Sequence, residues 1–320
     1  MFFLPPELLE MVLLAAGKEW FFIMSMVCRR WMTVLSSYRN RGQRSLPFRT
    51  PSIVYMSSVA LVEWACDNGL HLRRTLSSQC SMAAANGQLE VLQWLHKNGC
   101  PFNVVTSTQA ALNGHLTILK WLRQNGCPWD FETCAFAALN GHLTTLKYLR
   151  QNGCPWDFET CSNAAKNGHL HVLKWARLNG CQWSSATCSN AASNNHLPTL
   201  QWARANGCAW SHITCYQAAQ HGYLAVLQWA RANGCPWSSW SCEIAAEMGH
   251  LDVLQWAVAN GCPWNAHTCR SAAKGGHLNI LKWARANGCE WDAYTTAIAT
   301  RNGHVNVFEW AIANGCPVLV

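Results

Sequence analysis

A cysteine that follows Asn-Gly returns every 27 residues through most of this 320-residue chain. It falls at Cys100, Cys127, Cys154, Cys181, Cys208, Cys235, Cys262, Cys289 and Cys316. Eight full units therefore run from Cys100 to Gly315, a degenerate ninth precedes them at residues 73–99, and a partial unit, offset by three residues, lies near 54–69. A period kept this strictly indicates a repeat protein in which each unit packs on its neighbours.

Each unit, numbered from that cysteine, predicts two short helices. Position 4 is Asn, Asp or Ser, which cap helices, so the first helix begins at position 5 and ends at the Gly of position 15. A second helix begins at about position 17 and stops at Asn-Gly, often reinforced by a Pro at position 2 of the next unit. The apolar stripes are positions 8, 11 and 12 on the first helix and 17, 20, 22 and 23 on the second. Helices this short are marginal alone, so the units must stack into an all-α solenoid.

The 19 tryptophans concentrate at positions 3 and 22 and form two aromatic ladders. They fit either an aromatic ligand groove or packing between units. Packing is favoured because these positions hardly vary, whereas a binding groove needs variation.

Of the 18 cysteines, sixteen occupy positions 1 and 8. Stacked helices lie about 8–10 Å apart, beyond the roughly 4.4–6.8 Å that a disulfide spans, so equivalent cysteines should not pair. No CxxC spacing indicates zinc, and free buried thiols in a reducing compartment are the better interpretation. Histidine at position 16 fits a metal or pH-sensing ladder, or a turn histidine that bonds backbone between units. The second is favoured because Gln88 and Tyr223 replace it. With no catalytic constellation, we expect no enzyme activity, cofactor or metal.

The stretch TCSNAAKNGHLHVLKWARLNG, residues 160–180, resembles the core of an ankyrin repeat, with its Thr, Ala-Ala, Gly-His, paired leucines and closing Gly. The ankyrin unit has 33 residues, and most of the difference falls where ankyrin repeats carry a β-hairpin finger. The resemblance covers about 54–320 and implies an ankyrin-like solenoid with fingers reduced to tight turns. Arrays of this short type are similar to those abundant in giant DNA viruses of amoebae and in some protists.

The segments Leu4-Pro5-Pro6-Glu7-Leu8-Leu9 and Val27-Cys28-Arg29-Arg30-Trp31 resemble an F-box, although LAAGKEW between them departs from its pattern. The resemblance implies a helical F-box-like domain at 1–45, a linker at 46–53 and the repeats at 54–320. It also implies an apolar surface for the Skp-type adaptor of a cullin–RING ubiquitin ligase, formed by Leu4, Pro5, Leu8, Leu9, Val12, Leu13, Val27, Cys28 and Trp31. The alternative is an amphipathic cap over the first repeat.

Much of the net charge of +8 lies in a run of arginines between Arg29 and Arg49. This run fits a nucleic acid, a nuclear import receptor, or a solvated segment between domains. The solvated segment is favoured because no aromatic residues interleave with the arginines. No secretory signal or membrane span is credible, so we expect a soluble protein of the cytoplasm or nucleus.

A binding surface should vary between units, and variation concentrates at positions 5, 6, 9, 10 and 13 of the first helix. The ankyrin resemblance places these on the inner face. Six residues are candidate exposed anchors: Phe136, Leu139, Tyr216, Trp240, Ile244 and Tyr294. Polar candidates on the same face are Asn163, Lys166, Gln217 and Glu247. The alternative is ordinary drift on a solvated face.

The favoured function is a non-catalytic, monomeric adaptor whose N-terminus docks on a ubiquitin ligase and whose repeats hold a protein target. One alternative is a plain ankyrin scaffold or host-interaction effector with no ligase link. The arginine run keeps nucleic-acid binding as a third, disfavoured hypothesis. We expect neither a small-molecule substrate nor a membrane partner.

Overall fold

The structure is a computed structural model that describes residues 59–60, 62–63 and 76–318. The chain divides into two compact units, and the boundary lies between Trp129 and Asp130. The predicted boundaries at 45 and 53 lie outside the described residues and stay predictions, as do the F-box residues and the arginine run.

Eighteen helices of nine or ten residues make up the described part of the chain, which contains no strand. The first unit contains α1 (Leu76–Ala85), α2 (Leu89–Lys97), α3 (Val104–Leu112) and α4 (Leu116–Gln124). The second unit contains α5 (Phe131–Leu139), α6 (Leu143–Gln151), α7 (Phe158–Lys166), α8 (Leu170–Leu178), α9 (Ser185–Ser193), α10 (Leu197–Ala205), α11 (His212–Gln220), α12 (Leu224–Ala232), α13 (Ser239–Met248), α14 (Leu251–Ala259), α15 (Ala266–Gly275), α16 (Leu278–Ala286), α17 (Ala293–Arg301) and α18 (Val305–Ala313). The predicted all-α class and two helices per repeat are confirmed.

The helix ends follow the local chemistry that the sequence indicates. From α3 onward each first helix begins at position 5, and the position 4 side chain usually accepts a backbone N–H; Asp130, for example, accepts from Glu132 at 3.0 Å. Ser238 is the exception, because it makes no such bond and its hydroxyl is buried without a partner. Second helices begin at position 17. At their ends the Asn of position 26 donates its side-chain amide to the position 22 carbonyl, as Asn179 does to Trp175 at 2.8 Å.

Helical hairpins stack side by side within each unit. In the second unit the first helices α5, α7, α9, α11, α13, α15 and α17 pack in succession, each also on its own second helix. In the first unit α1 packs on α3 and on α2. The fully buried positions are 8, 11, 12, 20 and 23, as predicted, except at Thr300 and Phe308 in the last repeat. Position 7, usually Thr, and position 19, such as Val172, are also buried, which the prediction missed. The predicted face was too wide at positions 17 and 22, where Leu170 and Trp175 are only half-buried.

Candidate protein-binding surface

The tryptophans of positions 3 and 22 pack against each other and against an arginine. Trp156 and Trp175 form an edge-to-face pair with ring centroids 5.8 Å apart. The guanidinium of Arg150, from position 24 of the preceding repeat, lies 4.2 Å from the Trp156 ring centroid and donates to the Cys154 carbonyl. The arrangement recurs along the second unit. Both indoles are half-buried, so the predicted packing role is confirmed.

The thiols of position 1 connect consecutive repeats. From Cys127 onward each donates to the position 4 carbonyl of the preceding repeat, as Cys154 does to Asp130 at 3.2 Å and Cys181 to Asp157 at 3.1 Å. Burial raises the pKa of the Cys127 thiol to about 11, which keeps it protonated at neutral pH. This protonated, buried thiol is structural rather than nucleophilic.

One cysteine pair corrects the expectation that all thiols are free. Cys80 and Cys100 form a disulfide with Cα atoms 6.9 Å apart, whereas fourteen other described cysteines are free and buried. The distance between stacked helices excludes a disulfide only between equivalent positions of successive repeats. The bonded residues stand at different positions of the repeat, 8 and 1. Cys100 follows the second helix of a hairpin, α2, and there the chain passes close to the first helix of the same hairpin, α1, which carries Cys80.

Four histidines of position 16 bond the backbone of the preceding repeat, as predicted: His115, His250, His277 and His304. Nε2 lies 3.1 Å from the Gln220 carbonyl oxygen in His250 and 3.0 Å from the Glu247 carbonyl oxygen in His277. Burial, followed by a neighbouring histidine, lowers the pKa of His169 below its ordinary value. The position 15 glycine beneath the ring has positive φ and leaves no room for a Cβ: at Gly222 that atom would lie 2.6 Å from His250 Nδ1. The described residues contain no group of three or more side chains arranged to hold a metal.

Most predicted inner-face residues are at least partly accessible on the first helices. Trp240 is 58% exposed and Tyr294 is 55% exposed. Lys166 is exposed, whereas Phe136, Leu139, Asn163, Tyr216, Gln217 and Glu247 are half-buried. Ile244 was expected to be exposed, but it is only 8% exposed because neighbouring side chains cover it.

Two polar candidates are already engaged within the chain. The Asn163 side-chain amide donates to the Ala135 carbonyl at 3.4 Å, which joins consecutive first helices. The Glu247 carboxylate pairs with the Lys274 ammonium at 2.7 Å. These two side chains therefore contribute to packing and local charge balance before any partner is present.

The structure adds exposed apolar residues that the sequence analysis passed over. They lie at positions 5 and 6, in the first turn of first helices: Val105 in the first unit, and Phe131, Phe158 and Ile213 in the second. The sequence contains the signal that predicts this exposure, because an apolar residue directly after a helix cap faces water unless a neighbour covers it.

The second unit has a groove between α11 and α13. Its volume is about 460 Å³, and its walls include Ile213, Tyr216, Trp240, Glu243, Ile244 and Glu247. The Trp240 ring contacts the edge of the His212 ring, with centroids 5.7 Å apart. Five predicted residues thus line this groove: Tyr216, Gln217, Trp240, Ile244 and Glu247. The groove combines apolar walls with the carboxylates of Glu243 and Glu247. No described helix is long and apolar enough to cross a bilayer.

Comparison with known proteins finds a likeness to ankyrin repeats in one part of the chain. Residues 80–123 match the family model described as ankyrin repeats (many copies). The chain is also similar to a solved structure, the human ASB11 ankyrin repeat domain, with 18% sequence identity and a TM-score of 0.45. The match covers 57% of this chain and 98% of the ASB11 chain. No curated protein matches the sequence. Residues 80–123 therefore resemble ankyrin repeats.

Proposed function

We propose that this chain is a non-catalytic protein that binds a protein target through the first-helix face of its repeats. The observation that carries the proposal is the exposed indole of Trp240 at the mouth of an apolar groove. Large aromatics held on rigid helices are the anchors that dominate interface energies. Ankyrin repeats are interaction modules, and the chain's other described tryptophans already pack within the scaffold.

The test is affinity purification with mass spectrometry, comparing the full chain with a Trp240→Ala/Tyr294→Ala variant. Loss of an anchor costs about 2 kcal/mol or more, roughly a thirtyfold loss of affinity, so specific targets should disappear. Leu178→Ala is the matched control, because Leu178 is 86% exposed on a second helix. Retention of every specific target by the double variant would refute binding through this face.

As a finer proposal, residues 1–45 dock on the Skp-type adaptor of a cullin–RING ubiquitin ligase, so that the repeats recruit a substrate. Its support is the sequence pattern of the two F-box-like segments. The protein would then work in the cytoplasm or nucleus.

Co-purification with the Skp-type subunit should be lost when Leu8 and Val27 both become Asp. If the unaltered chain fails to bind that subunit, the ligase link is wrong and a plain scaffold remains. The plain scaffold predicts that deletion of residues 1–40 destabilises the repeats without removing any ligase contact.

A further inference from the structure

The groove between α11 and α13 carries a carboxylate that no described residue pairs with. Glu243 is half-buried and lines the groove, and no described side chain forms an ion pair or hydrogen bond with it. The nearby cations on α15 are engaged, since Lys274 pairs with Glu247 and Arg270 pairs with Asp292. A half-buried carboxylate gains most from a cation that brings its own hydrogen-bond donors.

Trp240 places an exposed indole in the same groove as that carboxylate. It stands three residues before Glu243 on α13, so both side chains project from the same side of the helix. Indole is the preferred aromatic partner of a cation. Tyr216 and Ile213 complete apolar walls, which a weakly hydrated guanidinium tolerates better than an ammonium.

The same face already holds a guanidinium in this way two repeats further on. Arg270, at position 9, lies 4.8 Å from the ring centroid of Tyr294, at position 6 of the next repeat. It also forms a two-point ion pair with Asp292. Trp240 occupies position 6 as Tyr294 does, but position 9 of the repeat before it is Tyr216, so the residue equivalent to Arg270 is not a cation.

We infer that the groove receives an arginine side chain of the protein partner, stacked on Trp240 and paired with Glu243. This rests on the proposed function, because it specifies which chemical group of the target the first-helix face recognises. The contact would combine the three groups that Arg270, Tyr294 and Asp292 combine within the chain, a guanidinium, an aromatic ring and a carboxylate, with the carboxylate at position 9 instead of position 4.

The probe is a random peptide library displayed on phage and selected on the immobilised full chain. Peptides that compete for the groove should be enriched in arginine, and replacing that arginine with its neutral isostere citrulline should weaken binding roughly tenfold. Glu243→Gln should cause a similar loss, with little further effect of citrulline in that variant. Glu159→Gln, an exposed glutamate on α7, is the matched control and should change nothing.

The outcomes separate the inference from the proposed function. If selected peptides lose affinity in Trp240→Ala but show no arginine enrichment and ignore Glu243→Gln, the arginine inference is wrong and protein binding stands. If selection yields no peptide sensitive to Trp240→Ala, both fail. Circular dichroism of each variant establishes that the helices are intact.

Discussion

Replacing Gly222 with alanine should destabilise the repeats more than replacing Gly234 with alanine. Both glycines have left-handed backbone, with φ of +72° and +81°, so both alanines carry a similar conformational cost of about 1–2 kcal/mol. The space around them differs. A Cβ at Gly222 would lie 2.6 Å from His250 Nδ1, whereas a Cβ at Gly234 would meet nothing within 4 Å.

The His250 ring must move to accept a methyl group at position 222. Its hydrogen bond to the Gln220 carbonyl would break, which costs about 0.5–1.5 kcal/mol. A side chain turned away from its rotamer costs about 0.5–1.5 kcal/mol more. Gly222→Ala should therefore exceed Gly234→Ala by about 1–3 kcal/mol in lost free energy of unfolding.

Urea unfolding followed by circular dichroism measures this difference. Gly303 is a second control at position 15, because its φ is +76° and a Cβ there would meet nothing within 4 Å. In a double-mutant cycle, Gly222→Ala should cost less when His250 is already alanine. Equal destabilisation by Gly222→Ala and Gly234→Ala would refute the close-approach argument.

Further substitutions test the core, the caps and the histidines. Leu200→Ala should lower the free energy of unfolding by about 2–5 kcal/mol because its side chain is fully buried, whereas Leu178→Ala should change it by no more than about 0.5 kcal/mol. Urea unfolding measures both, and similar losses would contradict the assigned core. By the same measurement, Ser211→Ala should lose about 1 kcal/mol because its hydroxyl caps α11, while Ser238→Ala should lose nothing because its buried hydroxyl has no partner. Burial lowers the pKa of His169 below its ordinary value of 6.5, so the unfolded chain binds that proton more tightly than the folded chain. The free energy of unfolding is therefore unaffected by this group above pH 6.5 and falls as the pH drops below it. Thermal unfolding of His169→Gln should therefore show less acid sensitivity than the unaltered chain, and an unchanged pH profile would exclude this histidine as a contributor.

The hairpins were predictable from the sequence because their limits depend on residues within one repeat. Asp130 at position 4 and Gly180 at position 27 fix a helix start and a helix stop through their own bonds and backbone angles. The period then placed the same signals in every copy. Local chemistry of this kind needs no knowledge of the neighbouring repeat.

The binding face was harder to predict because accessibility depends on what the adjacent repeat contributes. Ile244 and Phe136 both stand at position 10, but Ile244 is buried in the groove and Phe136 is half-buried. The disulfide between Cys80 and Cys100 was missed for a related reason, since it joins two different positions of the repeat. Periodicity identifies equivalent residues, whereas contacts between non-equivalent residues require the fold.

The one departure from the glycine–histidine arrangement supports its steric origin. Asn195 stands at position 15 with φ of +61°, and the residue 28 places later, where the other described repeats from α4 onward carry histidine, is Tyr223. Asparagine tolerates the left-handed backbone, but its Cβ would meet a histidine ring held as His250 is. The Tyr223 ring instead stacks on His221, with centroids 5.8 Å apart. The loss of glycine at Asn195 and the loss of histidine at Tyr223 therefore occur together. This is the outcome expected if glycine is required at position 15 chiefly by the histidine ring of the next repeat.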